Sequence, residues 1–302
     1  MSTTIAYAAQ LAAGLTLQSS TEVYPQFHRP GEAGLPLVIV DNDFAHAVIA
    51  LQGAHVLAFR PKGRPEMLWR SPLCQLVPGK AIRAGIPLCL PWFGPGPDGK
   101  SAHGFARTAN WTLTATERLT DGATRLQFEY AGDAQTSPLW PHAFRFTLEV
   151  IVGSTLQLRL SAENRSDSPA PYAFAFHTYF AVSDVVKANV RGLEQTTLID
   201  KLDKASRKYQ HGEVTLAAAT DRIYLDVPVR QTLLGGEAPI VIDSDCHCAV
   251  VWNAWDNDKT IADIGAGNHV GYLCIERGEV DERALTLMPG QTHHAWMTLA
   301  FA

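Results

Sequence analysis

Two segments of this chain hold residues whose types and surroundings could move a proton. His177 sits in AFAFHTYFAVSD, residues 173–184, among Phe174, Phe176, Tyr179 and Phe180. Glu276 ends the apolar run Tyr272, Leu273, Cys274, Ile275 in YLCIERGEV. An imidazole titrates near neutrality and can give or take a proton, and a carboxylate is a competent base beside it. A carboxylate that closes an apolar strand is costly to bury without a partner. Strand alternation puts Glu276 on the same face as Cys274 and Tyr272. Taken singly, each also fits a plainer role: a core histidine bonded to backbone, and a strand-end carboxylate facing solvent.

A second group of candidates lies in AIRAGIPLCLPWFGPGPDGKSAHGFAR, residues 81–107. Its prolines fix φ and its glycines admit conformations closed to other residues, which predicts a stiff, irregular loop. Arg83, His103 and Arg107 on such a loop suit an anionic polar ligand, because a buried guanidinium without an anion is expensive. His103 beside Gly104 fits turn chemistry equally well. Trp92 and Phe93 read as core aromatics. In TDRIYLD, Asp221 precedes Arg222, a pattern that also describes a turn with a surface ion pair. Asp43, His46 and His55 read as strand ends and turns.

The elements that must position these side chains are strands. Phe144, Phe146, Leu148 and Val150 alternate with polar residues, as do Leu156, Leu158 and Leu160, the period of a half-buried strand. Gly153-Ser154 between them predicts a two-residue hairpin turn. Further strands are expected at 37–40, 47–51, 125–130, 223–227, 239–242, 248–253, 272–276 and 294–301. Only 4–15 and 192–203 suggest short helices. Many strands divided by Gly, Pro, Asn and Asp turns predict an all-β, large antiparallel β-sandwich, with 1–302 as a single domain.

Composition narrows the function classes. The 302 residues are 46% hydrophobic and 18% charged, with a net charge of −5. That balance argues against a nucleic-acid or membrane-surface partner. No apolar stretch approaches a membrane span, and the lysine- and arginine-free first 28 residues lack the basic start of a secretory signal. A cytoplasmic protein is expected. The five cysteines are odd in number and scattered, which predicts reduced thiols rather than disulfides. Cys246-His247-Cys248 invites a metal reading, but alternation would set both cysteines on one face and the histidine on the other. Without a second cysteine pair at zinc spacing, no metal is expected. Walker, GxGxxG and GxSxG patterns are absent. An aromatic-rich β scaffold with dispersed His, Asp, Glu and Arg points to a carbohydrate ligand.

In order along the chain, IRAGIPLCLPWFG, AHGFAR, FHTYF, TDRIYLD and CIERG resemble the glucose-6-phosphate 1-epimerases, the hexose-6-phosphate mutarotases of the aldose 1-epimerase superfamily. The stretches VRGLEQTTLIDK and VVWNAWDN are also similar, so the likeness runs from about Val38 to Leu299. It implies a galactose-mutarotase-type sandwich with the sugar in a cleft on one sheet. It implies His177 as general acid and Glu276 as general base. His103 and Asp221 would bond the sugar ring and its hydroxyls, and Arg83 and Arg107 would lie near a phosphate. No cofactor is implied, the partner is a small hexose phosphate, and a monomer or weak homo-oligomer is expected. Ala84 stands where that family commonly has glycine, and Leu90 where an aromatic is frequent. The expected chemistry requires an ionised glutamate and a histidine kept protonated by a nearby carboxylate. Three other readings compete: a mutarotase of unphosphorylated aldoses, a non-catalytic carbohydrate-binding or regulatory module, and a glycoside hydrolase. The last would require two flanking carboxylates.

Overall fold

A computed structural model of the chain describes residues 11–133, 135 and 140–302. Alternation along the strands decides the architecture. In Leu156–Asn164 every second residue is buried, and the same holds over most of Phe144–Val152. These two strands pair antiparallel and lie within a nine-stranded sheet. A second sheet of eight strands runs laterally in the order Ser206–Tyr209, Thr197–Asp200, Thr220–Leu225, Cys248–Asn253, Tyr272–Glu279, Phe174–Phe176, Leu88–Cys89. Tyr179–Ala181 also pairs with Tyr272–Glu279. A four-stranded sheet from residues 15–61 and a two-stranded ribbon complete the strand pairing among the described residues.

The main core lies between the two large sheets. Phe128, Phe146, Leu148, Leu158, Leu160 and Met297 from the nine-stranded sheet join Tyr224, Val251, Leu273 and Ile275 from the eight-stranded one. Each fully buried side chain of this kind contributes about 1.5–3 kcal/mol. The other face of the eight-stranded sheet carries smaller clusters. One holds Ile199, Ile223, Leu225 and Val250, and the next holds Tyr179, Tyr272 and Cys274. Tyr272–Glu279 is buried along its whole length. It therefore separates two environments, with Leu273 and Ile275 in the core and Tyr272, Cys274 and Glu276 opposite.

Several sequence expectations need correcting. The segment 192–203 is not helical: Thr197–Asp200 is a strand paired on both sides, with Ser206–Tyr209 and Thr220–Leu225. Of the helix expected at 4–15, residues 4–10 lie outside the described residues, and Leu15 opens a strand. The 144–164 hairpin turns through three residues, since Val152 faces Leu156 and the Gly153 N–H donates to the Thr155 carbonyl. Cys246 and Cys248 do not share a face, because Cys246 packs in the main core and Cys248 in the cluster behind the eight-stranded sheet. All five cysteines are unpaired and buried. Among the described residues, no helix is long and apolar enough to cross a membrane.

Candidate active site

Glu276 owes its position to strand register. It stands abreast of Val250, which faces Ile223. Its neighbour on the same face, Cys274, stands abreast of Trp252 and then Asp221. On the opposite flank, Phe174–Phe176 and Tyr179–Ala181 both pair with the Glu276 strand. His177 falls in the break between those two short strands, where its N–H donates to the Pro87 carbonyl. Two stretches far apart in sequence are thus sewn side by side with histidine and glutamate in contact. The His177 Nε2 lies 3.4 Å from the Glu276 Oε1.

Both groups are nearly dry, with 6% of His177 and 2% of Glu276 accessible. The imidazole stacks on the Tyr179 ring, their centroids 4.9 Å apart. The His177 Nδ1 and the Glu276 Oε2 have no hydrogen-bond partner within the protein. Burial pushes the Glu276 carboxyl well above the usual carboxylate range, the Asp221 charge adds to this, and Arg107 opposes it. Burial, followed by the positive fields of His103, Arg83 and Arg107, holds His177 well below an ordinary imidazole. The expectation that a neighbouring carboxylate would hold His177 protonated is therefore corrected, as desolvation and cations dominate. The two groups converge on a pair that keeps one proton between them and no net charge.

His103 adopts φ 66°, and its ring meets that of His177 edge-on at 5.7 Å. The Gly94 N–H donates to its Nδ1, so the neutral ring carries its hydrogen on Nε2. Burial, with help from Arg107 and Arg83, brings its pKa down to about 4. Gly104 follows with φ +69°, and a Cβ there would lie 1.9 Å from the Leu90 carbonyl oxygen, so only glycine fits.

Arg83 is already engaged. Its Nε and Nη2 donate to the Asp263 carboxylate and its Nη1 to the Tyr179 hydroxyl at 2.9 Å. The Arg107 Nη2 donates to the Ala102 carbonyl at 2.8 Å. The half-buried Asp221 is raised by burial and by Asp200, with Lys201 opposing.

These side chains surround a cleft of about 460 Å³ lined by Arg83, His103, His177, Asp221 and Glu276, with Phe93, Lys201, Trp252 and Asp281 among the rest of its wall. That size suits a small ligand. Five of the six residues expected from sequence meet there. Arg107 does not line the wall, although its charge reaches both histidines. Ala84 and Leu90 do not line it either, and both are fully buried in apolar clusters. A larger hollow, about 630 Å³, lies over the nine-stranded sheet and includes Glu149, Arg159 and His294. Its charges satisfy one another, Glu149 with Arg125 and Arg159, and His294 with Ser161.

The sequence reading missed Tyr179 and Asp263, which fix Arg83, as well as Lys201, Asp281 and Trp252. Phe93, read as core, lines the cleft. Lys201 closes the stretch VRGLEQTTLIDK already singled out, and its Nζ lies 3.4 Å from the Asp281 Oδ2.

Residues 36–300 match the family model of aldose 1-epimerase. The chain belongs to the aldose 1-epimerase family. It is therefore an isomerase by class. This aldose 1-epimerase relative is 34% identical over 268 residues to an Escherichia coli protein named as a candidate glucose-6-phosphate 1-epimerase, covering 86% of this chain and 89% of that one. It is 37% identical over 248 residues to a Salmonella typhimurium protein of the same name, covering 80% and 82%. Its fold superposes on the crystal structure of a candidate mutarotase from Salmonella typhimurium with a TM-score of 0.85 and 28% identity, over 99% of this chain and 97% of that one. A galactose 1-epimerase structure from Lactobacillus acidophilus shares the fold at a TM-score of 0.67 and 13% identity, covering 95% and 98%.

Proposed function

We infer that this protein interconverts the α and β anomers of a hexose 6-phosphate, with glucose 6-phosphate the first candidate. The observation that carries the reading is the buried His177–Glu276 pair, 3.4 Å apart on the floor of a sugar-sized cleft. Ring opening addresses two oxygens bonded to one carbon, so its acid and base must stand side by side. With the pair's one proton passed across the 3.4 Å contact to His177, Glu276 takes the proton of the anomeric hydroxyl while His177 gives its own to the ring oxygen. The bond from C1 to the ring oxygen breaks and a C1 carbonyl forms. Rotation about C1–C2 presents the other carbonyl face, and reclosure returns each proton along the reverse route. The pair begins and ends with one proton.

His103, donating from Nε2, and Asp221 orient ring oxygen and hydroxyls in this scheme. Arg83 supplies positive charge to the phosphate end from the wall, and Arg107 supplies it from behind. We propose that 1–302 forms a single catalytic domain, working as a monomer or weak homo-oligomer in the cytoplasm.

One observation favours unphosphorylated aldoses as a second reading. Asp263 already neutralises Arg83, leaving less charge for a phosphate. Anomer-exchange NMR on glucose 6-phosphate, galactose 6-phosphate and free glucose decides between them. Faster exchange of a phosphorylated sugar is expected. Exchange of free glucose alone would transfer the assignment to the second reading, and no exchange above the spontaneous rate would end both.

A further inference from the structure

We propose that the His177–Glu276 pair on the cleft floor, together with the buried Cys274 beside it, is also a binding site for a soft divalent cation, Zn²⁺ or Cd²⁺, and that the bound ion blocks turnover. The ion is an inhibitor, not a resident cofactor. One ligand atom from each of the three residues lies within 4.8 Å of the other two. Cys274 has no accessible surface, and the other two ligands are at 6% and 2%. Register explains the arrangement. Cys274 and Glu276 are two apart on one face of one strand, and His177 enters from the break between the two short strands that pair with it.

The donor set decides which ions fit. Thiolate, imidazole and carboxylate are the ligands of zinc, with bonds of about 2.3 Å to sulfur and 2.0–2.2 Å to nitrogen or oxygen. Donors of one tetrahedral ion therefore sit about 3.5 Å apart, so the longest separation closes by about an ångström on binding. Mg²⁺ and Ca²⁺ require six or more oxygens and find only one carboxylate here. Charge also balances. Burial holds the Cys274 thiol well above its usual range, but an arriving dication displaces two protons, one from the thiol and one from the His177–Glu276 pair, and the resulting thiolate and carboxylate cancel the ion's two charges. The Oε2 of Glu276, buried without a partner, is a second independent sign of unused ligating capacity.

Inhibition follows from position. The ion would occupy the space between the two groups that must exchange protons with the sugar, so metal and sugar exclude each other. Because binding releases the thiol proton and the proton of the His177–Glu276 pair, affinity rises with pH.

Binding does not depend on the proposed activity; inhibition does, so the two are read separately. Co²⁺ titrated into the sugar-free protein should give a thiolate-to-cobalt charge-transfer band, displaced by Zn²⁺ and untouched by Mg²⁺. Buffered Zn²⁺ should slow anomer exchange, with relief by excess sugar. Cys274→Ala should keep basal turnover, lose the band and lose at least tenfold in Zn²⁺ sensitivity. Absence of the band in wild type overturns the proposal even if the variant does not fold. A variant as Zn²⁺-sensitive as wild type overturns it too. A band in a protein without turnover would leave the ion site standing and count against the mutarotase reading alone.

Discussion

At the scale of single residues, the decisive quantity is the number of protons on the His177–Glu276 pair. Removing the pair's one proton leaves a buried carboxylate, and adding a second leaves a buried imidazolium, so desolvation penalises both outcomes. The apparent values belong to the pair, the first pushed down and the second up. The one-proton form therefore spans a wide pH range. We expect kcat for a hexose phosphate to stay flat from about pH 5.5 to 7.5, with no break at the ordinary imidazole value of about 6.5. Using kcat reports the sugar-bound enzyme and avoids the phosphate's own titration in free sugar. A single break near 6.5 would mean that His177 titrates alone and in water. Glu276→Gln and His177→Gln should each cost on the order of 10² to 10⁴ in kcat with folding intact, the usual contribution of a positioned proton-transfer group. Near-wild-type rates in both would remove the pair from the chemistry.

At the scale of elements, strand register and one stiff loop build the site. The 81–107 loop aims His103 at His177 through a left-handed residue followed by Gly104, whose Cβ position is filled by the Leu90 carbonyl. We expect Gly104→Ala to lose several kcal/mol, the backbone strain alone being about 1–3 kcal/mol, and to lower kcat/KM by displacing His103. An unfolding midpoint and turnover unchanged from wild type would show that the loop tolerates the change. Much of this level was legible beforehand. The strand Cys248–Asn253 has the bounds that alternation gave it, and Tyr272–Glu279 begins where expected and runs three residues further. The segment 192–203 was misread because its pattern is short, while Thr196, Thr197 and Ile199 favour a strand once two neighbours offer pairing. Lys201, Asp281 and the Asp263–Arg83 pair were out of reach for another reason. They meet only because strands distant in sequence lie laterally adjacent, and no local pattern encodes that. Of the site, the sequence named six residues, five of which line the cleft, but not that burial would hold His177 down where a carboxylate was expected to raise it, nor that it would push Glu276 up.

At the scale of the whole molecule, buried neutral histidines link stability to acidity. His55 is fully buried in the four-stranded sheet, and its Nε2 lies 2.7 Å from the Ala84 carbonyl. A carbonyl only accepts, so Nε2 must carry the hydrogen, and Nδ1 is left buried without a partner. Charging this ring would place a cation in the core, and desolvation brings its pKa down to about 4. The unfolded chain, with an ordinary value near 6.5, binds the proton first on acidification. Stability from this group is therefore present above about pH 6.5 and is lost as pH falls toward 4. Between pH 7 and 5 the loss is about 2 kcal/mol. Denaturant unfolding at both pH values should show that drop in wild type, and His55→Gln should show a smaller one, because glutamine keeps an amide donor for the Ala84 carbonyl and does not titrate. Equal pH sensitivity in the two proteins would mean that acid acts elsewhere, with His103 and His177 on the cleft wall the next groups to replace.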